Sequence, residues 1–220
     1  MKCFARWAKD DTTGFYFRDQ TILQFGDSWD LKANFILLNP GSALPKDEND
    51  QTEYLRSKNL PFFIEPQDYE KYVEFSIDRL MVDILELFKS HFDGGTIRFY
   101  NLFNLKNQNS GEAIKQFEEN KFHPKMFTKN YEIRFCDAPV IVATGKSAYQ
   151  KNLKTELIRY IRLANQDKLY KLGKIAKNRF SFLKAAPDKT GFIDSYHPSY
   201  TFKYGNRTTI GELQINKSLE

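Results

Sequence analysis

The sequence predicts an α/β domain built on a mostly parallel four-stranded sheet, with an elaboration of short strands at its N-terminus. Three observations carry this. Four apolar stretches of strand length recur along the chain, ANFILLNP, TIRFYNLFNL, APVIVATG and FIDSYHPS. Segments of helical period separate them, which is how a parallel sheet with crossover helices reads. Ahead of them, residues 1–30 run as short aromatic stretches, CFARW, GFYFRD and TILQFGD, broken by the turn signals DTTG and GD.

Each element follows in order. Residues 1–30 predict two or three short strands. ANFILLNP is a continuous apolar run of the kind covered on both faces. Residues 42–70 form a polar insertion or lid punctuated by Pro45, Pro61 and Pro66, with room for a short helix. From Tyr69 to Phe92, Val73, Ile77, Leu80, Ile84, Leu85, Leu87 and Phe88 recur near the helical period, and Gly94-Gly95 ends the helix. Ser110, Gly111 and Glu112 open another helix. His123-Pro124 interrupts, and a further helix is expected within 126–136. Asn152 to Leu163 is helical by pattern. The Lys-rich stretch 164–185 reads as helical or irregular. No repeat or low-complexity tract is present, and residues 1–218 read as a single domain. Leu219-Glu220 reads as an appended tail and is set aside.

Composition narrows the function classes. With 41% apolar residues, 20 Phe and 12 Tyr, the chain is long enough and apolar enough to bury a core. A net charge of +5 permits a nucleic-acid or other anionic partner without requiring one. Cys3 and Cys136 form no CxxC pair, and His91 and His123 lack partners at ligand spacing, so no metal or other cofactor is expected. No stretch approaches the roughly 20 apolar residues of a membrane span, and charges interrupt the N-terminal MKCFARWAKDD where a signal peptide would be apolar. A cytoplasmic protein without a membrane partner is the expectation. Oligomeric state is not legible.

The strand exits carry the chemistry. Ligands of open α/β sheets bind beyond the carboxyl ends of the strands. Here those ends read NPGS, YNLFN, ATGKS and YHPSY, which offer the amides of Asn39, Asn101 and Asn104, the hydroxyls of Thr144 and Ser147, the His197 ring and Ser199. Each also has an ordinary reading: a turn at Asn39-Pro40, caps at Asn101 and Asn104, a structural histidine at His197. Gly145-Lys146-Ser147 ends like a phosphate loop, but Ile141 occupies the position of the required glycine, which excludes a Walker A motif.

The ordered series LNPG, YNLFNL, VIVATGKSA and YHPS resembles the uracil-DNA glycosylase superfamily, over a framework from about residue 34 to 202. It resembles still more closely a bacterial and phage domain family of unknown function with NPSxA-like and NLFxL-like motifs. The first resemblance implies a three-layer domain around the four-stranded sheet and hydrolysis of an N-glycosidic bond in DNA, as in DNA repair. Asn39 would orient the attacking water and His197 would bond the leaving base, as the catalytic pair. Asn101, or alternatively Asn104, would read the base. Pro198 and Ser199 would grip a phosphate, Pro40 and Gly41 would shape the first exit, and Tyr200 and Phe202 would lie on the loop that enters the duplex. Phe62, Phe63 or Tyr100 would supply a stacking surface. LLNPG departs from the family pattern, lacking its glycine two residues before Asn39, and YTFKY replaces the family's wedge. The alternative is a non-catalytic nucleic-acid or nucleotide binder, its phosphates met by Lys146, Lys151, Lys154, Lys168, Lys171, Lys174 and Lys177, unless that lysine run is a solvated face.

Overall fold

The structure, a computed structural model, describes residues 1–67, 70–203, 206–211 and 213. Its strands are β1 (Lys2–Lys9), β2 (Tyr16–Phe25), β3 (Leu31–Leu37), β4 (Lys71–Phe75), β5 (Gly95–Asn101), β6 (Val140–Val142), β7 (Leu169–Ala176), β8 (Arg179–Lys184) and β9 (Arg207–Thr209). Its α-helices are α1 (Thr52–Arg56), α2 (Arg79–Lys89), α3 (Ser110–Asn120), α4 (Lys151–Leu163) and α5 (Pro198–Thr201).

The strands form one nine-stranded sheet in the order β4-β1-β2-β5-β3-β6-β7-β8-β9. This overturns the expected four-stranded, mostly parallel sheet. The pairs β1/β2, β1/β4, β2/β5 and β7/β8 are antiparallel, while β3/β5, β3/β6, β6/β7 and β8/β9 are parallel. The sheet is therefore mixed. The parallel run β5-β3-β6-β7 is flanked by antiparallel strands on both sides.

Three local misreadings account for the difference. The N-terminal aromatic strands do not decorate the sheet but continue it, because Thr21 to Phe25 of β2 pair with Phe99 to Gly95 of β5. The Lys-rich stretch is the β7–β8 hairpin. Its lysines mask a period-2 apolar pattern in which Tyr170 and Leu172 of one strand and Phe180 and Phe182 of the other are all buried in one cluster, with Leu172 paired to Phe182. Its turn is set by Asn178 at φ 55°. With β7 paired to β6, FIDSYHPS has no slot in the ladder. It runs beside the sheet as irregular chain, held by Tyr196 N–H donating to Leu172 O at 2.8 Å and Thr144 N–H donating to Ser195 Oγ at 3.1 Å.

The helix expected from Tyr69 is likewise shorter. Tyr69 lies outside the described residues, and residues 71–75 are β4, an edge strand on β1 whose Tyr72, Val73 and Phe75 are all buried. The helix begins only after Asp78, whose carboxylate accepts from Met81 N–H at 3.0 Å as the N-cap. Of the helix expected within 126–136, a single 3₁₀ turn at 130–132 is present.

Helices cover both faces of the sheet. Ile84, Leu85 and Phe88 of α2 pack on Phe35, Ile97 and Phe182 on one face. Phe117 of α3 and Leu153, Leu157 and Tyr160 of α4 pack on Ile36, Tyr100 and Val142 on the other. A smaller cluster of Phe4, Ile22, Leu55, Leu60, Phe62 and Tyr72 closes the β4 end. The mixed nine-stranded topology argues against the uracil-DNA-glycosylase-like, hydrolase and DNA-repair identity that the motif series implied. Among the described residues no helix is long and apolar enough to cross a membrane.

Candidate functional site

A cavity of about 330 Å³ opens where β3 and β5 end, on the α2 side of the sheet. Its floor follows from the ladder. Leu37 pairs with Asn101, and Thr21 pairs with Phe99, so the side chains of Leu37, Thr21, Phe99 and Asn101 meet on one sheet face. Its walls are the 39–42 turn, the N-terminal end of α2, Gln108 and Ser110 before and in α3, and His197, Ser199 and Lys203.

Asn101 is buried at the carboxyl end of β5, and its backbone carbonyl accepts from Tyr160 O–H at 3.0 Å on the opposite face. Its side-chain amide makes no hydrogen bond to any described residue and faces the cavity. Asn39 stands opposite, on the turn after β3, with its Nδ2 donating to Asn107 O at 2.9 Å. That bond spends one of the two amide donors, and the residue lines the cavity.

His197 lies at the N-cap of α5, where its Nδ1 accepts from Ser199 N–H at 3.2 Å and sits 2.7 Å from Ser199 Oγ. A backbone N–H only donates, so the neutral ring carries its proton on Nε2. Burial pushes its pKa down to about 4, which keeps the ring neutral near pH 7. The ring's place is set from behind by Gly145, at φ 72°, where a Cβ would come within 2.8 Å of the His197 Cβ. Only glycine tolerates both conditions there.

Pro40 and Gly41 shape the 39–42 turn, and both line the cavity. The reason this turn is held is Arg18, a residue for which the sequence carried no warning. Its guanidinium is buried, donating to Ala43 O at 3.3 Å and, closer, to Pro40 O. It stacks over the Phe75 ring at 5.2 Å, and its Nε has no hydrogen-bond partner among the described residues. Burial lowers its pKa, and the nearest carboxylate that acts on it, Asp78, is occupied in capping α2.

The remaining expected residues divide. Ser199 lines the cavity, whereas Pro198 is buried beneath it as the first residue of α5. Tyr200 is half exposed and stacks on Tyr196 at 5.9 Å, away from the cavity lining. Asn104 is elsewhere: its Nδ2 donates to Lys125 O at 3.2 Å and Thr128 Oγ1 donates to its Oδ1 at 3.3 Å, so it braces a loop. Phe62, Phe63 and Tyr100 do not reach the cavity; Tyr100 points to the other face, donating to Arg134 O at 3.1 Å. The aromatic floor is Phe99, two residues before Asn101. Period-2 alternation along TIRFYN was the signal that puts these two side chains on one face. The lysines proposed for phosphates are scattered. Lys168 pairs with Asp137 at 2.5 Å, and Lys154 lies over the Phe192 ring at 5.1 Å, while none of the seven lines the cavity. Its cations are Arg18, Arg79 and Lys203, with Arg79 bonded to Asp83 at 2.9 Å.

No protein-family model, curated protein or solved structure matches this chain. The chemistry of the cavity therefore stands on its own geometry. It offers an apolar floor that includes the edge of the Phe99 side chain, an amide that both donates and accepts, a neutral imidazole, and a positive balance of charge among the described lining residues.

Proposed function

We propose that this cavity binds a nucleobase carried by a nucleotide or a nucleic-acid strand, without cleaving it. The observation that carries the reading is the Asn101 amide, buried and free of any described protein partner, beside Phe99 and opposite His197. The residue is buried but its unpaired amide opens on the cavity, so its bonding capacity is available to whatever enters. An amide matches the N–H and C=O of a lactam edge. The Nε2–H of a neutral His197 adds a donor for a second carbonyl, and Leu37, Leu80 and Phe99 give the floor an apolar character suited to a flat ring. Carbonyl-bearing bases are thus favoured over those that present only amino groups. A volume of about 330 Å³ lies at the small end of the usual range for ligand pockets.

Binding is favoured over turnover by what the polar groups already do. Asn39 donates to the Asn107 carbonyl, and Asp78, the one carboxylate among the described lining residues, caps α2. Neither is disposed as a general base toward a water on the floor.

The test is calorimetric titration of the protein with the four common nucleosides, their 5′-monophosphates and a short single-stranded DNA. Binding of a lactam base, weakened at least tenfold by Asn101→Ala with folding intact, supports the reading. Absence of binding to every probe, or affinity indifferent to Asn101, refutes it. Release of free base from the DNA would instead restore a catalytic role.

A further inference from the structure

Two buried groups on β2 have unmet bonding capacity and face the same cavity. Among the described residues, Arg18, 3% exposed, holds a positive charge with an unpartnered Nε, and Thr21, 1% exposed, has an Oγ1 with no partner. Residues three apart on a regular strand point to opposite faces. Here they share one, because β2 carries a bulge. Its register against β1 shifts between Phe4 and Arg6, and Gln20 lies in the left-handed region at φ 50°. Asp19 and Gln20 consequently both turn to the other face, where Asp19 bonds Arg6 at 2.8 Å and Gln20 Nε2 donates to Glu132 O at 3.1 Å. Arg18 and Thr21 are left together toward the cavity. Bulges of this kind re-aim side chains next to functional sites, and a non-glycine residue at positive φ is a conformation kept only where the surroundings enforce it.

The Arg18 guanidinium hydrogen-bonds only backbone carbonyls among the described residues, and Asp78 acts on its charge without a direct ion pair. Such a cation, held out of water, favours an anion of matching fork geometry. Thr21 Oγ1 can donate to the same anion. We propose that Arg18 and Thr21 form an oxyanion subsite that takes the phosphate of a mononucleotide whose base lies on Phe99 and Asn101.

The oxyanion requirement comes from Arg18 and Thr21 alone; naming it a nucleotide phosphate rests on the base-binding reading above. The spacing suits one small molecule. Thr21 pairs with Phe99, and Asn101 is two residues further along β5. With about 3.3 Å per residue and about 4.8 Å between strands, Thr21 and Asn101 are separated by about 8 Å, the span of a mononucleotide from base edge to phosphate. Lys203 and Arg79 at the lining add to the positive field.

The experiment compares inorganic phosphate, acetate, a nucleoside and its 5′-monophosphate as ligands of the wild-type chain and of the Arg18→Met and Thr21→Val variants. The monophosphate is expected to bind at least tenfold tighter than the nucleoside. Arg18→Met should abolish that advantage, and Thr21→Val should reduce it several-fold. Thr21 Oγ1 bonds none of the described residues, so Thr21→Val keeps the test decisive if Arg18→Met fails to fold. Phosphate binding that depends on Arg18 and Thr21, with no affinity for nucleosides, would uphold the oxyanion subsite and refute the base site. Acetate replacing phosphate equally well would assign the subsite to a carboxylate and overturn the phosphate. Nucleoside and monophosphate binding with equal affinity would overturn the subsite while leaving the base site standing. Binding of none of the four would overturn both.

Discussion

Replacing Thr21 with valine is the sharpest perturbation, because stability and function are expected to move in opposite directions. Thr21 is 1% exposed and its hydroxyl has no hydrogen-bond partner among the described residues. A buried polar group left unsatisfied costs about 1–3 kcal/mol. Valine has the same branched shape and the same preference for strand backbone, so it removes that cost without opening a cavity. The net gain should be about 1–2 kcal/mol. In a chain of this length each kcal/mol moves the melting temperature by about 2–4 °C, so Tm should rise by about 2–8 °C. The assay is urea and thermal denaturation of both proteins, read at constant m so that the difference reports the folded state. Saturating phosphate should then close part of the gap. A ligand at tenfold its Kd stabilises the wild type by about 1.4 kcal/mol, and the variant, which binds it less well, by less. A fall in Tm of the same size for Thr21→Val would refute the reasoning, since it would mean that the hydroxyl already has a partner that the fold depends on.

Two further outcomes follow from the same geometry. The His197 pKa lies at about 4, below its ordinary 6.5, so the unfolded chain binds the proton first. Its contribution is fully present above about pH 6.5 and is lost as pH falls toward 4, by at most about 3 kcal/mol. Urea denaturation at pH 7.5 and 4.5 should show His197→Gln losing less stability on acidification than the wild type; equal losses would place the ring outside the titrating set. Arg6 is buried and bonded to Asp19 at 2.6 Å, to Glu132 at 2.7 Å and to Glu70 at 3.1 Å. Arg6→Met would leave those carboxylates without their cation and should cost about 3–5 kcal/mol, measured by denaturation at pH 7. A change under about 1 kcal/mol would show that the network is dispensable.

Much of the local structure was legible. The helix from Lys151, the cap region before Ser110 and the three apolar strands at 31–37, 95–101 and 140–142 all follow from period and turn chemistry. Four exits were expected to converge, and three do, through Asn39, Asn101, His197 and Ser199; the ATGKS exit does not reach the cavity, since Thr144 is bonded to Ser195 and Ser147 is not in the lining. Asn104 does not, because Phe103, Asn104 and Leu105 are drawn into the packing below the sheet, where Phe103 stacks on Phe117 at 4.9 Å. The Lys-rich hairpin was hidden by charge: Lys171 and Lys174 interrupt a strand whose alternating Tyr170 and Leu172 carry the burial.

Period and composition are properties of neighbours along the chain, and they determined which segments are apolar, where helices start and which polar residues stand at strand ends. Pairing is a property of distant segments. Only the tertiary structure decided that β2 would join β5, that β7 rather than FIDSYHPS would take the place beside β6, and that the sheet would therefore be mixed and nine strands wide. It also decided the character of the cavity. Arg18 and Thr21 read as two unremarkable residues of an aromatic strand until a one-residue bulge at Gln20 turns them to the same face. Side-chain direction on a strand depends on the count of residues between pairing partners, and that count is fixed by β1 and β5 on either side, not by β2 itself.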